Sequence, residues 1–160
     1  MGEECVLFKD KINFKYPGAA PFILHQDVTA GWGMYTNKHI NIAIPYCDTN
    51  EINGNIYFGS RTSFMLTNFF EDLTKYDDDL IPIETKKGDA IIFDSYIPHA
   101  SYENSSCSKR QIMFLTYTPK SQDSFYEKYH NDKFKVLPPD ICKTKGRSYR
   151  SNNTNVKSQY

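Results

Sequence analysis

Apolar residues in this chain come in short runs broken by turn-forming residues, and several runs alternate strictly with polar ones. Lys11-Ile-Asn-Phe-Lys-Tyr16 has the period-two pattern of a half-buried strand, with Lys15 on its polar side. Pro17-Gly18 then turns the chain. Phe22-Ile-Leu24 starts a second strand that runs to Asp27, and Val28–Lys38, with two glycines and the lone Trp32, reads as a loop. His39-Ile-Asn-Ile-Ala-Ile-Pro45 predicts a strand with its isoleucines inward and His39 at the surface or strand start. Asn53-Gly54 is a hairpin signal before a strand over 56–61. Ser63–Tyr76 has near-helical apolar spacing. Short strands follow at 81–84 and 90–93, then a longer one headed by Arg110, and Ser121–Tyr129 reads as a helix with Phe125 and Tyr129 on one face. About eight short strands between turns predict a mostly β antiparallel double-sheet barrel with a few short helices.

Composition narrows the picture. A 160-residue chain with 39% hydrophobic residues has enough material for one core. We expect a barrel domain over 1–142 and a flexible polar tail over 143–160. The tail holds five basic residues and no acid; removing those five from 19 basic residues leaves 14 against 19 acidic ones, a net of −5. An acidic body argues against nucleic acid as a partner. Cys5, Cys47, Cys107 and Cys142 are widely spaced, no signal-type leader precedes them, and no apolar run is long enough to span a bilayer. The expectation is free thiols in the cytoplasm, with no membrane partner. Nothing in the composition speaks to oligomeric state.

The candidate chemistry starts at His25-Gln26-Asp27. Residues at i and i+2 of an extended chain share a face, so this imidazole and carboxylate can converge on one ion. A third ligand must come from elsewhere, and His99, after Gly88-Asp89 and the apolar strand, is the candidate. Two His and one carboxylate form the facial set of non-haem Fe(II) oxygenases. Arg110 heads an apolar strand, where its charge needs an anionic partner such as a carboxylate gripped by both arms of the guanidinium. Trp32 lines a pocket or caps the core; the sequence leaves both open. The acidic run Asp77-Asp78-Asp79 lacks the glycine and distal glutamate of a calcium loop and reads as solvated.

With Ser101 and Asn104 between His99 and Arg110, the chain resembles the phytanoyl-CoA dioxygenase family of Fe(II)- and 2-oxoglutarate-dependent oxygenases. The matching residues are His25-Gln26-Asp27, Asn53-Gly54, Gly88-Asp89, His99, Ser101 and Arg110. The resemblance implies a double-stranded β-helix of the jelly-roll or cupin type. It implies Fe(II) on His25, Asp27 and His99, and 2-oxoglutarate held by Arg110 and Ser101, with Lys15 and Gln26 as further cosubstrate candidates. O₂ would then be used to hydroxylate a C–H bond of a small-molecule substrate. Family members are longer and carry an N-terminal helical region, so the expectation here is a truncated or split member. Asn13–Ala19 and Phe134–Asp140 resemble members acting on small polar metabolites such as aminophosphonates; acyl-CoA, lipid and amino-acid-derived substrates stay open. The competing expectation is a non-catalytic cupin-like barrel that binds a metal or small molecule. Arg110 separates the two, because a plain cupin needs no charge there.

Overall fold

A computed structural model describes residues 1–59 and 80–138. The helix expected over 63–76, the acidic run at 77–79 and the polar tail lie outside them. Eight strands are described: β1 (Cys5–Lys15), β2 (Phe22–His25), β3 (Ile40–Pro45), β4 (Ile56–Gly59), β5 (Leu80–Ile83), β6 (Ile91–Asp94), β7 (His99–Ser101) and β8 (Arg110–Pro119). They form two four-stranded sheets, ordered β1-β8-β3-β6 and β2-β7-β4-β5, and every pairing is antiparallel. This is a jelly-roll barrel, as expected. Ala43, Ile56, Phe93 and Ile112 form the core between the sheets, with Phe58, Ile91, Ile97 and Phe114 packed against it.

Two strands face the other way from their hydropathy. On β1 the apolar residues Ile12, Phe14 and Tyr16 beyond its end are 48%, 45% and 50% exposed, while Lys9 and Lys15 are buried. On β3 the isoleucines lie half-buried on the outer face, while Asn41, Ala43 and Pro45 are buried. Register continues this outer face across the sheet: Ile12 pairs with Met113 and Met113 with Ile44, and Leu115 pairs with Ile42 and Ile42 with Ile92. The sheet is therefore apolar outside and carries polar side chains inside. Alternation finds a strand but not its inner face when the interior is a chemical site.

Other expectations shift by a few residues. A 3₁₀ turn over Glu51–Asn53 takes the place of a hairpin, capped by Gly54 in the left-handed conformation (φ 76°) because β3 and β4 belong to different sheets. The helix after β8, α1 (Tyr126–Val136), begins later than expected, after a 3₁₀ turn at Lys120–Gln122. His39 does precede β3, but it is only 1% exposed. Trp32 is buried with Phe8 and Tyr129 under Tyr35 and Phe125, so it caps a second core cluster. Cys5, Cys47 and Cys107 are free thiols. Among the described residues no helix is long and apolar enough to cross a membrane.

Gly54 is the turn residue with least tolerance. A Cβ there would sit 2.7 Å from the Tyr102 carbonyl oxygen and 3.0 Å from the Glu103 carbonyl oxygen. Left-handed backbone alone costs a side-chain-bearing residue about 1–2 kcal/mol. Gly54→Ala is expected to lower unfolding free energy by at least about 2 kcal/mol, read from urea midpoints.

Candidate metal centre and anion pocket

The strand β2 ends on His25, and Gln26 keeps the chain extended (φ −111°, ψ 131°) before Asp27 opens a 3₁₀ turn. The i, i+2 geometry thus survives although Asp27 is not itself in a strand. Antiparallel pairing sets His25 opposite His99, the first residue of β7, with ring centroids 4.2 Å apart. Ligand atoms of His25, Asp27 and His99 lie within 4.8 Å of one another. The Nε2 atoms of His25 and His99 stand 3.8 and 3.7 Å from the two Asp27 oxygens, too long for hydrogen bonds and close enough for one ion to draw all three together.

The chemistry of these donors suits a divalent metal. Nδ1 of His25 lies 2.9 Å from the Ile23 carbonyl oxygen, and Nδ1 of His99 3.0 Å from that of Ile97. Each carbonyl holds the proton on Nδ1 and leaves the lone pair on Nε2, toward the ion. Burial, then the neighbouring His99, pulls His25 down to about 3, and burial lowers His99, so both rings are neutral ligands at neutral pH. For Asp27, burial pushes the carboxyl upward, but His99, Lys9, His25 and Lys11 together outweigh it and keep it ionised. Asn41 Nδ2 donates to Asp27 Oδ2 at 3.0 Å, and Thr116 Oγ1 donates to Asn41 Oδ1 at 2.7 Å. Sequence reading missed Asn41 and Thr116. Their signal was a polar residue recurring on one face of otherwise apolar strands.

Of the remaining predicted residues, Lys15, Ser101 and Arg110 come together, while Gln26 does not join them. Lys15 and Arg110 are register partners on β1 and β8. Lys15 Nζ donates to Ser101 Oγ at 2.9 Å and to the Tyr102 carbonyl. Arg110, 3% exposed, donates through Nε and Nη2 to the Gly54 carbonyl at 3.1 and 2.7 Å. Among the described residues neither cation has a carboxylate partner. Burial and then Arg110 bring Lys15 down to about 7. Nearby Asn55 is fully buried with neither side-chain polar atom hydrogen-bonded. Two adjacent buried cations and an unpaired buried amide call for an anion with several acceptor oxygens. Asn104 fixes the loop between β7 and β8, donating to the Lys15 and Ser108 carbonyls, both at 2.8 Å. Gln26 is fully buried and donates to the Tyr96 carbonyl at 2.7 Å, bracing the turn before His99.

A jelly roll with two histidines and a carboxylate converging between its sheets defines the class of metal-dependent cupin-type barrels. The phytanoyl-CoA dioxygenase (PhyH) family profile matches residues 3–112, and the chain belongs to that family. It is 36% identical over 164 residues to a 2-aminoethylphosphonate dioxygenase of uncultured bacterium HF130_AEPn_1, covering 94% of this chain and 60% of that protein. It is 33% identical over 139 residues to a methylphosphonate hydroxylase of Gimesia maris, covering 83% of this chain and 53% of that protein. The chain thus spans little more than half the length of these relatives. Among solved structures, EctD from S. alaskensis with 2-oxoglutarate and 5-hydroxyectoine superposes with TM-score 0.65 at 21% identity, over 76% of this chain and 46% of that one. The nickel complex of the non-haem monooxygenase ThoJ gives TM-score 0.61 at 14% identity, over 74% and 46%. These two likenesses show the fold.

His25→Ala and His99→Ala are each expected to abolish Fe(II) binding in anaerobic calorimetry, since losing one of three ligands removes the facial geometry. The apo protein should also be acid-sensitive. Burial keeps His25 and His39 (down to about 4) neutral in the fold, whereas the unfolded chain takes up protons below its ordinary value of 6.5. The histidines' contribution to stability should therefore be full above pH 6.5 and be lost as pH drops toward 4, seen as a urea midpoint that declines over that range.

Proposed function

We propose that this barrel is an Fe(II)- and 2-oxoglutarate-dependent dioxygenase that hydroxylates a C–H bond of a small molecule. The observation that carries the reading is a neutral two-histidine, one-carboxylate set in the same barrel as the carboxylate-less pair Lys15 and Arg110. Iron bound by His25, Asp27 and His99 would supply the O₂-dependent oxidation. The chain's own residues do the placing. Arg110 and Lys15, with Ser101, hold the far carboxylate of 2-oxoglutarate and leave its keto-acid end directed at the triad. Neutral histidines and an ionised Asp27 give a ligand set of charge −1, which retains a divalent ion without exchanging protons for it. Asn41 holds the carboxylate against rotation through its hydrogen bond to Oδ2. Phe58 and Phe93, whose rings lie 5.9 and 5.1 Å from that of His99, keep that side of the site dry. A metal-binding barrel without cosubstrate has no use for Lys15 and Arg110 buried side by side, which weighs against the non-catalytic reading.

Arg110→Ala is expected to weaken 2-oxoglutarate binding about 30- to 1,000-fold, on the order of 2–4 kcal/mol for a buried charge-assisted pair, while Fe(II) affinity holds. Arg110→Lys should recover only part of the loss. With Fe(II), ascorbate and O₂, the protein should form succinate slowly without added substrate, and Asp27→Ala should stop it. Full binding of iron and 2-oxoglutarate with no succinate would point to the binding-only barrel.

A further inference from the structure

The inner face of β1 carries more positive charge than the cosubstrate requires. A bulge between Leu7 and Lys9 turns both Phe8 and Lys9 into the interior, after which Lys11, Asn13 and Lys15 follow on the same face. Lys15 belongs to the Arg110 end. Lys9 lies opposite Thr116 in register, and Thr116 is tied through Asn41 to Asp27, so Lys9 is at the metal end. Lys11, opposite Phe114, stands between.

Among the described residues neither ammonium has a carboxylate or hydrogen-bond partner. Each has an aromatic ring instead: Lys9 Nζ is 4.4 Å from the centre of the Trp32 ring and Lys11 Nζ 5.0 Å from that of Phe114. Lys9 is 8% exposed, and an aromatic face offsets only part of the cost of burying such a charge. A second unpartnered group sits beside it. His39 is 1% exposed, its ring 5.3 Å from Trp32, and neither of its nitrogens is hydrogen-bonded. Register sets Lys11 between the Arg110 end and the metal end, where burial disfavours its charge, Asp27 favours it and Arg110 opposes it. Facing residues at i and i+2 on a strand are about 6.6 Å apart at the backbone, a spacing at which two flexible ammonium groups can converge on different oxygens of one head group.

We propose that Lys9 and Lys11 seat a tetrahedral oxyanion of the substrate, a phosphonate or phosphate monoester, beside the metal triad. The proposal rests on the dioxygenase reading and names the substrate class for it. Charge agrees. Among the described residues four inward basic groups (Lys9, Lys11, Lys15, Arg110), whose charged forms burial disfavours, face one carboxylate, Asp27, and a divalent metal with a 2-oxoglutarate dianion leaves that excess of basic groups unchanged. A dianionic substrate reduces it, and a neutral substrate does not. The names of the phosphonate-oxidising relatives fit the same class.

The test is calorimetric titration of methylphosphonate into anaerobic protein loaded with Fe(II) and 2-oxoglutarate, repeated on the metal-free chain. Methyl phosphate and acetate are run in parallel. Lys11→Met and Lys9→Met should each weaken methylphosphonate binding at least 30-fold, with 2-oxoglutarate affinity within threefold of the parent and an unchanged melting temperature. Lys11→Arg should restore most of the affinity. Should Lys9→Met fail to fold, Lys11→Met and its arginine rescue decide. The methylphosphonate and methyl phosphate arms distinguish the two sources of the oxyanion, and tighter binding of either supports the assignment. Acetate binding as tightly as both overturns it. So do unchanged affinities in the methionine variants, no binding by the parent, or a parallel loss of 2-oxoglutarate affinity, which would give the lysines to the cosubstrate. Failure of the dioxygenase reading has a separate signature: neither Fe(II) nor 2-oxoglutarate binds the parent.

Discussion

The pairing of β2 with β7 is the constraint on which the site depends. It sets His25 across from His99, and one extended residue further the chain delivers Asp27 into the same gap. Each imidazole is steered by a carbonyl two residues earlier in its own segment, so the backbone that places the ring also fixes its tautomer. Moving β7 by one residue would turn His99 to the opposite face and remove Ser101 from Lys15 in the same step. The candidate metal ligands and the candidate anion pocket therefore share one register and are lost or kept together.

The second organising feature is the distribution of charge between the sheets. Barrel interiors are normally filled by apolar side chains, and among the described residues that filling is split between the cluster around Phe93 and Ile112 and the one around Phe8 and Trp32. Between these clusters the inner face of β1 and β8 carries lysines, an asparagine, hydroxyls and a guanidinium. Lys9, Lys15, Arg110 and Thr116 are already desolvated, so little of their hydration remains to be lost when an anion arrives. The hydrogen-bonded line Thr116–Asn41–Asp27 ties this face to the Asp27 carboxylate.

The chemistry was more legible in the sequence than the architecture around it. Histidine, aspartate and arginine are unusual beside apolar strands, so His25, Asp27, His99 and Arg110 stood out by type and order alone. Strand positions followed from alternation, but the inner faces of β1 and β3 did not, because the usual rule equates apolar with inside. Asn41, Lys9 and Lys11 were overlooked for the same reason: each sits where a solvated residue was expected. His39 was placed at a strand start, but nothing local reveals that Phe8 and Trp32 close over it. Asn53-Gly54 has the composition of a hairpin, and only the crossing from one sheet to the other decides for a capped 3₁₀ turn. The late start of α1 reflects its packing on β1, a long-range contact that helical periodicity does not encode.

The inverted β1–β8–β3–β6 sheet has a consequence for how the molecule's properties divide. Its inner surface carries the candidate site, while its outer surface, from Ile12 through Met113 to Ile44 and Ile92, meets water with branched and sulfur-bearing side chains. Alternate residues of a single strand thus answer to different pressures. On the proposal above, a change at Lys11 is felt in ligand binding, whereas a change at its neighbour Ile12 is felt in colloidal behaviour. Polar replacements along the outer rows offer a way to improve yield and handling without approaching the reacting atoms.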